Sequence, residues 1–320
     1  MILKRIYGKK YIEMGKNRMI YLRLDGRIGN QLFMYAFAKN ISEKRENEII
    51  VIDDKEVIKR GYKNSLIDYK LQNVRYVHNH KMLYSREFIK QNIIFFMYRV
   101  IRKNMSFNKR FFLEKKYQAF FNRRGLILCE NGYLDYEIPS TKNVFINGYF
   151  QADKYFNDVR ENVLEDFTLN TKILESYYPD VLKIQQRNSV CISIKVQHNV
   201  GDSMYDVCND GYWQEAIEYI CQRVENPLFF ICSDNVDYVR ENLIDCVKYD
   251  VIYQDPKIPV NVSLAIMGKC KHFIIGNTTF GWWAQYLSQY NDKIVVAPSK
   301  WMRIDMPIDI YQKGWHLVEV

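Results

Sequence analysis

Short apolar runs and longer segments of helical spacing alternate along almost the whole chain. Met19-Ile20-Tyr21-Leu22-Arg23-Leu24, Glu48 through Asp54, Ser189 through Ile194, Leu228 through Cys232, Val251-Ile252-Tyr253 and Phe273-Ile274-Ile275 are all brief and bounded by polar or turn residues. Runs of that length, rich in Ile, Val and Phe, predict buried strands. Between them, Leu32, Tyr35, Ala36 and Lys39 keep helical spacing, as do Gly211 through Ile220 and Ser263 through Met267. Val239 to Val247 reads as another helix. Phe280, Trp283, Ala284 and Leu287 recur at i, i+3, i+4 and i+7, the mark of a helix laid on a core. Strands alternating with helices predict an α/β fold whose parallel sheets are covered on both faces.

At 320 residues the chain has room for two domains of ordinary size. The stretch 168–187 carries a proline and polar clusters, so the expected division is 1–175 and 176–320, with a helical insertion at about 80–130 in the first half. A hydrophobic content of 48% with 7 Pro excludes a disordered chain. No uninterrupted apolar run reaches the ~18 residues of a spanning helix, and residues 1–18 are basic without the apolar centre of a signal peptide. Seven cysteines, none in a C-x-x-C pair, favour a reducing cytoplasm over a zinc site or disulfide framework.

Charge is concentrated in the insertion. Between Lys81 and Arg124 twelve Lys or Arg stand against Glu87 and Glu114, a net +10, which leaves the rest of a +9 chain near neutral. The same segment interleaves Ile93-Ile94-Phe95-Phe96-Met97 and Phe107, Phe111, Phe112, Phe120 and Phe121. A peripheral surface for the inner face of an anionic membrane, formed by residues 88–124, and a pair of core-packing helices with a basic outer side both fit that composition. A nucleic-acid surface is the weaker option, because no recognised RNA- or DNA-binding pattern accompanies the charge.

Two strand-to-helix turns carry the candidate chemistry. Gly276-Asn277-Thr278-Thr279 ends one apolar run with turn residues and helix caps, and exposed N–H groups at such a helix start suit a phosphate. Asp25-Gly26-Arg27-Ile28-Gly29-Asn30-Gln31 follows the first strand; its glycines allow close backbone approach, and Arg27 adds a fixed cation. Neither matches a dinucleotide or P-loop glycine pattern. Ser233-Asp234 closes a third strand with hydrogen-bonding side chains. The acids Asp53 and Asp54 form no metal-binding pattern, and none is expected elsewhere.

Cys270 through Trp283, followed by Asp292-Lys293-Ile294-Val295-Val296-Ala297-Pro298-Ser299-Lys300-Trp301, resembles the signature of bacterial α-1,2-fucosyltransferases of glycosyltransferase family eleven. Gly26 through Ala38, Gly148-Tyr149-Phe150-Gln151 with Lys154-Tyr155-Phe156, and Pro227 through Asp234 are similar to further family motifs in the same order. The resemblance runs from about Met19 to Trp301. It implies a GT-B fold, two Rossmann-like domains with a cleft between them, the donor held in the C-terminal one and the 26–31 turn facing the cleft. It also implies metal-independent, inverting transfer of L-fucose from GDP-β-L-fucose, a substrate and not a cofactor, to a galactose 2-hydroxyl. The acceptor expected is an oligosaccharide, plausible as lipid-linked surface polysaccharide.

One departure bears on the donor. Where the family carries H-x-R-R-x-D, this chain reads Ser193-Ile194-Lys195-Val196-Gln197-His198. Lys195 stands for the arginine that grips the diphosphate, a point charge in place of a bidentate fork. His198 stands for the aspartate, where an imidazole could take the acceptor proton. The residues expected at the site are therefore Lys195, His198 and Arg27 for catalysis. Gly26, Gly29, Asn30, Gln31, Lys195, Ser233, Asp234, Asn277, Thr278, Thr279 and Phe280 are expected to bind the donor. A transferase for a related GDP-sugar, or a non-catalytic glycan-binding protein, are the alternatives the departure leaves.

Overall fold

The computed structural model describes residues 18–77, 86–179, 181–196, 204–244 and 247–320, with the backbone alone for 86–88. The first half holds β1 (Met19–Arg23), α1 (Ile28–Lys44), β2 (Ile49–Asp53), α2 (Lys55–Lys59), β3 (Val74–Val77), α3 (Arg86–Arg102), α4 (Phe107–Asn122), β4 (Leu126–Cys129) and β5 (Asn143–Gly148). Three short helices lead onward: α5 (Arg160–Asp166), α6 (Thr171–Tyr177) and α7 (Val181–Gln186). The second half continues with β6 (Ser189–Ile194), α8 (Asp210–Cys221), β7 (Leu228–Ser233), α9 (Val236–Asn242) and β8 (Asp250–Tyr253). It ends with α10 (Val260–Met267), β9 (His272–Ile275), α11 (Thr279–Leu287), β10 (Val295–Pro298) and β11 (His316–Val318).

All strand pairs are parallel, in two sheets ordered β3-β2-β1-β5-β4 and β11-β10-β9-β6-β7-β8. Side chains alternate across a strand, and that period of two sorts the residues into layers. Ile20, Leu22, Ile50, Ile52, Val144 and Ile146 point into the same core as Cys191, Phe230, Phe273, Ile275 and Ala297 of the second sheet. The intervening positions Tyr21, Val51, Leu126, Leu128 and Phe145 face α3 and α4, and Val190, Ile192, Phe229, Ile231 and Ile274 face α8. One continuous core therefore joins the two sheets, with α1 and α11 inside it. This is a GT-B arrangement of two parallel α/β units.

Two helices differ from the pattern-based expectation. The helix expected over Val239 to Val247 instead occupies α9, because the Asn235 side chain caps the Tyr238 N–H at 3.1 Å and starts it three residues earlier. The helix expected to rest one face on a core is enclosed on every side: Gly281 through Tyr286 of α11 are all buried. Its spacing hid this because Trp282, off the expected stripe, is buried against α1.

Candidate active site

In the second sheet the chain runs outward in both directions from the β6–β9 pair; in the first it runs outward from β1 to β3 and then returns from the edge strand β4 to β5 beside β1, so a crevice opens at the carboxyl ends of β1 and β5 and another at those of β6 and β9. Such switch points are where open α/β sheets take ligands. Here the two crevices meet, because α1 begins after β1, α11 begins after β9, and the two helices pack together.

Their contact explains Gly29. A Cβ there would lie 2.8 Å from the Thr279 carbonyl carbon, so only a hydrogen lets the helix starts touch. Trp283 locks the joint by donating Nε1–H to the Gly29 carbonyl at 2.9 Å. Trp282 donates to the Ile310 carbonyl at 2.8 Å and lies against Phe33 with ring centroids 4.5 Å apart. Thr279 Oγ1 donates to Asn30 Oδ1 at 3.2 Å, and Gln151 Nε2 donates to the same oxygen at 2.9 Å. The candidate residues Gly29, Asn30 and Thr279, from opposite halves of the chain, thus form one surface.

Other candidates build the frame beneath that surface. Gln31 is fully buried; its Nε2 donates to the carbonyls of Gly26 and Lys63, and its Oε1 accepts from the Ser65 N–H at 2.8 Å. Gly26 adopts φ +75°, the left-handed turn that favours glycine, and its N–H donates to Asp25 Oδ1 at 2.7 Å. Asn277 is buried, with its Nδ2 donating to the carbonyls of Tyr205 and Trp301 at 2.9 and 3.0 Å. Gln31 and Asn277 therefore hold loops in place, and their donors are spent inside the protein.

What stays accessible is cationic and rich in N–H groups. Thr278 caps α11 by accepting from the Gly281 N–H at 3.1 Å, which leaves the N–H groups of Thr279 and Phe280 without a partner among the described residues. Lys195 leaves the end of β6 half-buried. Burial lowers its ammonium pKa, the nearby Arg27 guanidinium lowers it further, and Asp234 opposes both. Arg27 is exposed at the start of α1, its guanidinium over the Tyr62 ring at 5.3 Å. Asp234 Oδ1 accepts from the Val196 N–H at 2.8 Å, which pins the backbone next to Lys195, and Ser233 Oγ accepts from the Asn235 N–H at 3.0 Å. His198 lies outside the described residues.

The sequence singles out the segments around one further cluster without pointing to its side chains. Asp25 Oδ2 pairs with Arg60 at 3.0 Å and accepts from the Tyr149 hydroxyl at 3.4 Å. Burial, then the Asp25 charge, push that phenol up to about 12, so it stays protonated as a donor at the crevice. Only the meeting of β1 and β5 joins positions so distant in sequence; Tyr149 in the Gly148 to Gln151 segment is the one signal that could have raised it.

The family model of Glycosyl transferase family 11 matches residues 19–319. The chain belongs to this family. Its curated relatives include an α-1,2-colitosyltransferase of Escherichia coli, 26% identical over 293 residues that span 88% of this chain and 92% of that protein. The O-antigen biosynthesis glycosyltransferase WbnK of Escherichia coli is 24% identical over 313 residues, spanning 92% and 99%. Among solved structures, the NodZ α-1,6-fucosyltransferase of Bradyrhizobium, soaked with GDP-fucose, superposes with a TM-score of 0.51 at 12% identity, covering 85% of this chain and 93% of its own. This glycosyltransferase of family 11 thus shares its two-domain scaffold with that enzyme. Among its described residues no helix is long and apolar enough to cross a membrane.

Proposed function

We propose that the protein transfers L-fucose from GDP-β-L-fucose to the 2-hydroxyl of a galactoside, with inversion and without a metal ion. Lys195 and Arg27, brought from different domains to the crevice where α11 presents its unpartnered N–H groups, carry this reading. In the transfer the bond between the anomeric carbon and the diphosphate oxygen breaks, and the acceptor hydroxyl oxygen bonds to that carbon from the opposite face as its O–H bond breaks and its proton is released. Negative charge grows on the departing GDP. Two cations and the Thr279 and Phe280 amides would stabilise that charge more in the transition state than in the bound donor. The joint of α1 with α11 fixes the two domains' contributions relative to each other, as an in-line displacement requires. Ser233 and Asp234 are assigned to nucleotide contacts at the end of β7, and the half-buried Phe280 to the crevice wall.

A second donor is favoured by one observation: a relative is named a colitosyltransferase, and this chain lacks the H-x-R-R-x-D arginines. Colitose is fucose without its 3-hydroxyl, so the same diphosphate site would serve either. GDP release from GDP-fucose and from GDP-linked colitose, with and without a soluble β-galactoside, tests the proposal. Acceptor-dependent release from GDP-fucose is expected. Faster release from the colitose donor would move the assignment to that sugar. Neither donor consumed would overturn it, and with no binding of GDP the chain would be a non-catalytic member.

A further inference from the structure

The basic insertion leaves a large apolar surface uncovered. On one side of α3, Ile94, Phe95 and Tyr98 pack against Tyr21, Val51 and Phe145 of the first sheet, as a core-packing helix should. On another, Ile89, Ile93, Phe96, Met97, Val100 and Ile101 are 46–67% exposed. Successive gaps of four, three, one, three and one place these six on one helical face. Phe112, Tyr117 and Phe120 of α4 are exposed as well. Nine of the twenty-one large apolar side chains exposed on the described surface thus fall between 89 and 120, whereas scattered single ones are ordinary.

Among the described side chains of α3 and α4 the exposed charge has one sign. Lys90, Arg99, Lys103, Lys109, Lys115, Lys116, Arg123 and Arg124 are all exposed on the same helix pair, while Glu114 is buried. Below α3 lies a hollow of about 420 Å³ lined by Ile93, Ile94 and Phe145 together with Lys90 and Arg124. An apolar stripe flanked by cations, beside a hollow that combines both, fits a layer that is anionic outside and hydrocarbon inside. A second copy of this face would bring like charges together. A nucleic acid would use the cations and leave the stripe without an apolar partner.

We propose that the α3–α4 face docks on an anionic phospholipid bilayer, with the stripe at the headgroup–acyl boundary and a lipid phosphate beside Lys90 and Arg124. The placement suits an acceptor carried by the membrane. Gln91 bonds the Arg124 carbonyl near the start of β4, and Arg102 pairs with Glu130 just past its end, so α3 runs beside the strands toward their carboxyl edge. That edge also holds the crevice, and Asn108 at the head of α4 reaches Asp305 of the second half at 2.6 Å. A membrane-borne acceptor rests on the transferase reading; the docking does not.

Flotation of the full chain with vesicles of phosphatidylcholine, alone or mixed with phosphatidylglycerol, tests it without any donor. Binding to the mixed vesicles alone is expected, weakening as salt rises. The variant Ile93→Ser/Phe96→Ser/Val100→Ser should lower that partition at least ~100-fold at an unchanged melting temperature. Lys90→Glu/Arg124→Glu should lower it about 30-fold or more. Turnover of a soluble galactoside, read in parallel, should not change in either variant; its absence in the wild type would count against the transferase reading alone. Wild type that fails to float, a serine variant that floats like it, or a dimer that this variant splits without any flotation would overturn the proposal.

Discussion

The two helix layers flanking the first sheet are equally rich in large apolar residues and use them in opposite ways. On the inner side α1 and α11 are enclosed: Phe33, Phe37, Trp282 and Trp283 have no exposed surface, and the two indole N–H groups are spent on carbonyls, that of Gly29 across the joint and that of Ile310. On the outer side α3 buries one face and leaves six large apolar side chains in the open. Apolar content alone does not say which fate a helix meets. The inner pair carries few charges and is closed by glycine-permitted contact, whereas the outer pair surrounds its apolar face with lysine and arginine. One layer builds the crevice, and the other leaves its apolar face uncovered.

Four substitutions sharpen that contrast. The largest effect is expected from Trp283→Ala, which empties the joint where the indole stacks on Phe156 at 5.7 Å and bonds Gly29. Chemical denaturation should show a loss of about 3–5 kcal/mol, against less than about 0.5 kcal/mol for Phe96→Ser on the outer face. A loss at Phe96→Ser as large as that at Trp283→Ala would erase the distinction.

Next comes the buried side of the outer pair. Glu114 accepts from the Tyr98 hydroxyl and from the Glu130 N–H at 3.2 Å, and burial pushes its carboxyl up to about 7. The folded protein thus holds a proton there that the unfolded chain releases from about pH 4.5 upward. This contribution to stability is complete below that pH, declines as pH rises, and is gone above about 7; its full span is roughly 3 kcal/mol. Glu114→Gln should flatten the profile, as denaturation midpoints between pH 4.5 and 8 would register. A variant profile identical to the wild type would mean that Glu114 keeps an ordinary pKa. A smaller effect belongs to Thr278→Ala, the cap of α11, at about 1 kcal/mol in the same assay, since the rest of that helix is held by packing.

Much of this arrangement was legible in the chain. Apolar runs such as Ser189 through Ile194 announce their strands because both faces of a parallel sheet are covered. The glycine at 29 and the paired tryptophans stood out as motifs, though spacing could not reveal that they touch. For residues 88–124 a core-packing face and an exposed apolar face lie on different sides of one helix, which composition cannot separate because it does not see direction. The Asp25, Arg60 and Tyr149 cluster and the approach of Arg27 to Lys195 stayed hidden for a different reason. Both depend on which strand ends the topology makes neighbours, and no local pattern encodes that.

The central claim is that a nucleoside diphosphate is held where the two sheets' crevices meet. Titration calorimetry of GDP into the wild type and into Lys195→Ala tests it most directly. The account predicts saturable binding to the wild type and at least ~10-fold weaker binding to the variant, whose melting temperature should stay unchanged because Lys195 is half-exposed. Absence of heat with the wild type, or equal affinity for both proteins, would contradict it.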